Sequence, residues 1–304
     1  MTISVGIVAY NEEQSVYRAL TTLISAAKGC DETTEVIFVA SGCTDNTIVE
    51  AKRALAGHDR HTIFVENERR GKAAALNRVA KLANGELLIL CDADVLIDHN
   101  ALFALAQAFR TDKKLEIASA RVAVLKGPNK ILTKVGEMSA KALDAYRRLE
   151  HGEGLWMLCG HLYAIRRCVW EDIPEEVVSD DVYIGLRAIT QGKKMAYVPA
   201  ALVHICYPQT WLDYLSQKLR NRFARRQLAE ASYELRQPVR WLGIGLISRL
   251  GLPALRYLPV IILDCIVVGM AEIGWQLRFR QSPLWRMIGT SKQIHNLEAP
   301  LSDK

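Results

Sequence analysis

Asp92-Ala93-Asp94 sets two carboxylates at positions i and i+2 directly after the apolar run 87–91. An extended strand sends such a pair to opposite faces, so both can address one cation only where the chain bends. The end of a strand supplies that bend. Carboxylates suit Mg²⁺ or Mn²⁺, and Mg²⁺ commonly takes one or two of them together with substrate phosphates. Solvated turn aspartates are the alternative, and the place of the pair at the end of the most apolar strand argues against it. Lys72, in Arg69-Arg70-Gly71-Lys72, opens a helical run in which basic groups and free backbone N–H groups favour an anion. Ser179-Asp180-Asp181 precedes the helix-like run 182–187. Those residues serve either as a cap with acids in the first turn or as the source of a general base.

The elements that must position these groups alternate along the first two hundred residues. Ile3–Ala9 is a short apolar strand ending in Tyr10-Asn11-Glu12-Glu13, and residues 15–27 have helical spacing. A second strand, 36–40, is closed by the turn-rich Ser41-Gly42-Cys43-Thr44-Asp45-Asn46, and Thr47–Leu55 reads as a helix. A third strand follows at 62–66, then a helix at 72–83 stopped by Asn84-Gly85. Residues 87–91 are wholly apolar, as a doubly covered parallel strand requires. This β-α-β-α-β order predicts a parallel sheet with right-handed crossovers, whose ligands sit at the carboxyl ends of the strands. Tyr10-Asn11-Glu12, Ser41-Gly42 and Asp92-Ala93-Asp94 all fall there.

The last third differs. Residues 205–304 hold 14 Lys+Arg against 7 Asp+Glu, which places the net charge of +6 in that part of the chain. Residues 211–233 read as one long helix with a Leu212, Leu215, Leu219, Phe223 stripe, and residues 239–277 are mostly apolar. The run 258–277 approaches the length of a membrane span but holds Asp264 and Glu272. One charge near the middle of a span costs about 3 kcal/mol, so helices lying in an anionic membrane surface are expected instead. A second copy of the chain is the alternative cover, which would make a homo-oligomer. No basic-aromatic strand or helix-turn-helix spacing points to nucleic acid. Seven scattered cysteines without a Cys-x-x-Cys pair suggest neither a disulfide framework nor a zinc site. With no basic segment before the first strand, the expected location is the cytoplasmic side of a membrane, peripheral or monotopic.

Taken together, these residues resemble the family 2 glycosyltransferases of the GT-A fold over about residues 3–226. The resemblance rests on Ala9-Tyr10-Asn11-Glu12-Glu13, on Ser41-Gly42-Cys43-Thr44-Asp45-Asn46-Thr47, and on Gly71-Lys72 with Ala75-Leu76-Asn77. It continues in Asp92-Ala93-Asp94, in Cys159-Gly160-His161 with Arg166-Arg167, and in Ser179-Asp180-Asp181. It implies an α/β GT-A domain over residues 1–207, beyond which charge and apolar runs make residues 208–304 a basic, membrane-associating helical region.

The resemblance further implies an inverting enzyme using a nucleotide-diphosphate sugar, with UDP-sugar favoured, and Mn²⁺ or Mg²⁺. In it Asp181 is the base, Asp94 and Asp92 hold the metal, and His204 is a further candidate ligand or else a partly buried strand-end imidazole. Tyr10, Glu12, Ser41, Lys72, Asp92, Gln217 and Arg220 face the donor. Cys159, Gly160, His161 and Asp180 face a lipid or lipid-linked glycan acceptor, although buried inert thiols are the default reading of Cys91 and Cys159. Two departures stand out. Ala40-Ser41 replaces a carboxylate pair common at the base-reading position, and Asn221 replaces the Trp of the Gln-x-x-Arg-Trp motif of processive synthases. A polyprenyl-phosphate sugar synthase, helped by Arg222, Arg225 and Arg226, is the nearest alternative. A non-catalytic nucleotide-sugar-binding subunit is the alternative of another class, against which the retention of both Asp94 and Asp181 argues.

Overall fold

The computed structural model describes residues 1–30, 34–149, 158–230, 252–276 and 289–292. Its first elements are β1 (Ile3–Ala9), α1 (Val16–Lys28), β2 (Thr34–Ser41), α2 (Thr47–Leu55), β3 (His61–Glu66), α3 (Lys72–Leu82) and β4 (Leu87–Asp92). There follow β5 (Val95–Ile97), α4 (Ala101–Thr111), β6 (Ile117–Val124), α5 (Lys130–Leu149), β7 (Leu162–Arg166), α6 (Asp180–Thr190) and β8 (Met195–Ile205). Among the described residues two further long helices follow, α7 (Trp211–Glu230) and α8 (Leu258–Gln276), with 3₁₀ segments at Arg167–Val169, Leu252–Tyr257 and Gly289–Lys292.

The sheet order is β3-β2-β1-β4-β7-β6-β8-β5. β3, β2, β1 and β4 are parallel neighbours, β7 runs antiparallel to β4 and β6, and β8 pairs parallel with β6. This is the mostly parallel GT-A arrangement that the β-α-β order predicts. Alternation along the central strands divides the core in two. Ile7, Phe38 and Ile89 pack with Leu20, Leu23 and Leu105 of α1 and α4 on one face. Val8, Val39 and Leu90 pack with Leu76 and Val79 of α3 and with Tyr183 of α6 on the other. These strands are buried on both faces, which explains why they read as unbroken apolar runs.

β5 follows β4 directly in sequence yet pairs antiparallel with β8 at the far end of the sheet. Residues 93–94 therefore turn the chain out of β4. That turn is the bend the two aspartates needed.

α7 covers part of 211–233 as expected, while residues 231–251 and 277–288, which include much of the apolar stretch, lie outside the described residues. Beside the sheet, Leu132 of α5, Tyr207, Tyr214 of α7 and Val267 of α8 form a small second core. The opposite side of α8 presents Leu258, Ile262, Ile266, Met270 and Ile273 to solvent, in line with exposed Leu252 and Leu255. No helix of the described residues is long and apolar enough to cross a membrane.

Candidate active site

One cavity of about 380 Å³ opens at the carboxyl ends of β1, β2 and β4. Tyr10, Glu12, Ser41, Lys72, Asp92, Asp94, Gly160, His161, Asp180, Asp181, Gln217 and Arg220 all line it. Cys159 does not: it is buried behind the wall, its backbone N–H donating to Ser119 Oγ at 2.7 Å. All seven cysteines are free thiols.

The metal cluster forms because antiparallel pairing of β4 and β7 continues one residue before β7, with Asp92 N–H at the end of β4 donating to the His161 carbonyl at 3.2 Å. That register places the His161 imidazole on Asp92, Nδ1 to Oδ2 at 3.0 Å. One ligand atom each from Asp92, Asp94 and His161 lie within 4.8 Å of one another, a donor set able to hold a divalent cation. His161, expected on the acceptor side, thus joins the cluster. His204 does not belong to it: it sits on β8 opposite Leu96 and Ala123, half-buried, and burial pushes its pKa down. The imidazole that meets Asp92 is that of His161, brought there by the pairing of β4 and β7.

The electrostatics separate the two aspartates. Burial opposes ionisation of Asp92, but Lys72 and His161 outweigh it and hold that carboxyl below its usual range. Burial and the neighbouring Asp92 charge raise Asp94. A cation between them relieves the second effect, which is the condition a metal site sets up in advance. The His161 imidazole is raised; burial resists this, and the hydrogen bond and charge of Asp92 prevail.

Lys72 heads α3 after Gly71 but does not stand free for an anion. Its ammonium lies 2.8 Å from Asp92 Oδ1 and 3.4 Å from Asp180 Oδ2, so it bridges the metal motif to the base motif. Burial, with Asp181 and Asp92 nearby, raises Asp180 to about 6 in spite of Lys72. α3 is fixed against the loop before α6 by Asn77, which exchanges two hydrogen bonds with the backbone of Ile173 at 2.8 and 2.9 Å. The Asn that closes the Gly-Lys-x-x-Ala-Leu-Asn pattern therefore has a structural task.

Asp181 is anchored through one oxygen. Oδ1 accepts the Ser179 hydroxyl at 2.7 Å and the Val182 N–H at 2.9 Å. Ser179 thus orients Asp181 and makes no side-chain cap to the helix backbone. Oδ2 is directed to Gly160, where an added Cβ would stand 2.8 Å away. The glycine leaves that oxygen open toward the cavity.

α7 supplies the opposite wall through Gln217, Arg220, Asn221 and Ala224. Gln227 pins the helix to the loop before α6, accepting from Val178 N–H at 3.1 Å and donating to the Glu176 carbonyl at 2.8 Å. The boundary expected at 207/208 falls between β8 and α7, but the cavity takes residues from both sides of it.

Lys292, missed in the sequence, also lines the cavity and forms an ion pair with Glu12, with a further contact to the Tyr10 carbonyl at 3.4 Å. Its turn is docked by Thr290, which accepts from Gln209 N–H at 3.1 Å and bonds Asp213. Burial and the Asp94 charge raise Glu12 to about 8, with Lys292 and Ser15 opposing. Only the local pattern Thr290-Ser291-Lys292, basic within a polar triplet, marked the residue in sequence.

Comparison with known proteins agrees with this fold. The fold matches a mannosyltransferase of Pyrobaculum calidifontis, solved with GDP-Man and Mn²⁺, at TM-score 0.62 and 21% identity, covering 92% of this chain and 81% of that one. It also matches glucosyl-3-phosphoglycerate synthase of Mycobacterium tuberculosis, solved with Mn²⁺, UDP and phosphoglyceric acid, at TM-score 0.54 and 21% identity over 76% and 78%. In sequence, poly-β-1,6-N-acetyl-D-glucosamine synthase of Staphylococcus aureus is 24% identical over 217 residues, 69% of this chain. The chain spans about half the length of that relative, 51%. The family model for glycosyl transferase family 2 matches residues 4–173, more than half of the 304. The chain belongs to glycosyl transferase family 2.

Proposed function

We propose that this glycosyltransferase moves a sugar, with inversion, from a nucleotide-diphosphate sugar to a hydroxyl of a lipid or lipid-linked glycan at a membrane surface. UDP-sugar is the favoured donor. The observation that carries the reading is the meeting, in one cavity, of an Asp92–Asp94–His161 cluster with an Asp181 carboxylate held open by Gly160. Mn²⁺ or Mg²⁺ bound by Asp92, Asp94 and His161 would neutralise the departing diphosphate, and the imidazole favours Mn²⁺. Complexes of two structural neighbours with Mn²⁺ support this.

The residues of the chain do the rest. Arg220 and Lys292 add positive charge around the diphosphate, and Lys72 holds the Asp92 and Asp180 carboxylates in place. Asp181 Oδ2 takes the acceptor proton as the acceptor oxygen bonds to the anomeric carbon, and the bond from that carbon to the phosphate oxygen breaks on the other face. An α-linked donor then gives a β-glycoside.

The exposed apolar side of α8 and the basic last third support an acceptor presented by a lipid surface, with the enzyme peripheral to the cytoplasmic leaflet. The test of the base is Asp181→Asn, which keeps the shape. Transfer should fall about 10³-fold while calorimetric donor binding stays unchanged; transfer at near wild-type rate would reject Asp181 as base.

A further inference from the structure

The cavity wall changes character within a few residues of Asp181. Val177, Val178, Val182 and Ala224 all line it there. The anchoring of α7 brings them together. Ala224 and Gln227 stand three positions apart and share a helix face. Gln227 bonds the backbone on both sides of Val177, through the Val178 N–H and the Glu176 carbonyl. Beside that loop, α7 therefore contributes only the methyl group of Ala224, which is 1% exposed.

Three valines and an alanine have no side-chain group that forms a hydrogen bond. A glycan seated on them would bring a hydroxyl from most of its ring carbons, and each one desolvated without a partner costs free energy. A hydrocarbon chain gains from the same burial. Asn221, one turn before Ala224, adds a single amide to this part of the lining, enough to meet an ester carbonyl.

Charge narrows the choice further. Asp180, Asp181 and Glu175 line the same end of the cavity. Of the cations there, Lys72 lies between Asp92 and Asp180, and Arg70 pairs with Glu175. Arg222 and Arg226, on which a phosphate acceptor would depend, do not line the cavity. An acceptor phosphate would thus carry negative charge to three carboxylates.

We propose that the acceptor is a neutral lipid alcohol of the diacylglycerol kind, its hydroxyl at Asp181 and its adjoining chain along Val177, Val178, Val182 and Ala224. This choice of lipid over glycan and over phosphate rests on the nucleotide-sugar reading above. The lipid oxygen bonds to the anomeric carbon and its proton passes to Asp181 Oδ2. The bond from that carbon to the phosphate oxygen breaks, its electron pair leaves with the nucleoside diphosphate, and the product is a neutral glycolipid.

The test begins with calorimetric titration of the full chain with UDP and GDP, each with Mn²⁺, to find the base that binds. Labelled sugars on that nucleotide (glucose, galactose, N-acetylglucosamine and mannose) are then offered with three acceptors. These are vesicles holding dioleoylglycerol, vesicles holding a polyprenyl phosphate, and a soluble oligosaccharide. Label should enter lipid from dioleoylglycerol at least about tenfold faster than it enters either of the others. Replacing Val177 and Val178 together by Thr keeps their shape and should raise the KM for dioleoylglycerol about tenfold, with donor binding unchanged. Faster transfer to the phosphate or to the oligosaccharide, no transfer to dioleoylglycerol from any of the four sugars, or a KM that the threonines do not move overturns the proposal. If neither UDP nor GDP binds with Mn²⁺, the nucleotide-sugar reading itself has failed.

Discussion

The wall built from β1, β2 and β4 and the wall built from α7 and Lys292 hold their side chains by different means. On the first, backbone register places each group: Asp92 by its pairing across to His161, Ser41 by its pairing to Glu66. On the second, the described anchors are side-chain contacts to loops, Gln227 to Val178 and Glu176, and Thr290 to Gln209. Register errors flip every side chain of a strand, so a sheet wall is set with little latitude. A helix wall secured at a few points can shift by small sliding.

Breaking the sheet wall should have the largest effect. Asp94→Ala removes one carboxylate of the cluster and should weaken Mn²⁺-dependent donor binding by about 100-fold or more in calorimetry. Retained metal-dependent binding would show that Asp94 is not a ligand.

The helix wall is sharpened by Lys292→Met, expected to weaken the donor about tenfold. Adding Glu12→Gln decides why. Recovery in the double variant means that Lys292 serves to compensate Glu12, and continued weakness means that Lys292 touches the donor.

A smaller loss is expected outside the cavity. Replacing Ile262, Ile266 and Met270 together by Ser should cut sedimentation with anionic vesicles roughly fivefold and leave donor binding intact. Unchanged sedimentation would remove the lipid surface as the cover for α8.

The smallest effect lies at the opposite end of the sheet. Burial works against the Glu35 carboxylate, but hydrogen bonds from Ser4, Asn84 and Gly85 outweigh it and lower its pKa below 4.5. A lowered folded-state value gives stability that is present above the unfolded value and lost as pH falls through the folded one. Glu35→Gln should therefore cost about 1 kcal/mol at neutral pH in urea unfolding, and the cost should disappear in acid.

Legibility in the sequence followed the same division. Asp92-Ala93-Asp94, Gly71-Lys72 and Ser179-Asp180-Asp181 could be found because each begins or ends an element with an unmistakable apolar period. The strand and helix ranges from β1 to β4 lie within a few residues of expectation for that reason. His161 was visible as a residue but not as a metal-cluster member, since its role depends on β7 running antiparallel to β4, and periodicity does not reveal partners. His204 stands on β8 as the partly buried strand-end imidazole of the two readings that the sequence left open. Lys292 meets Glu12 across 280 residues of chain.

That last separation has a consequence for how the enzyme comes into being. On the ribosome, Glu12 emerges early and waits for its cation until 280 further residues have been made. A fragment cut at residue 207, where the sheet is complete, would look like a finished domain. It would lack Gln217, Arg220 and Lys292, and its cavity would keep Glu12 and Asp94 without the lysine that faces them. Expression trials that trim the apolar C-terminal third for solubility therefore remove part of the site along with it.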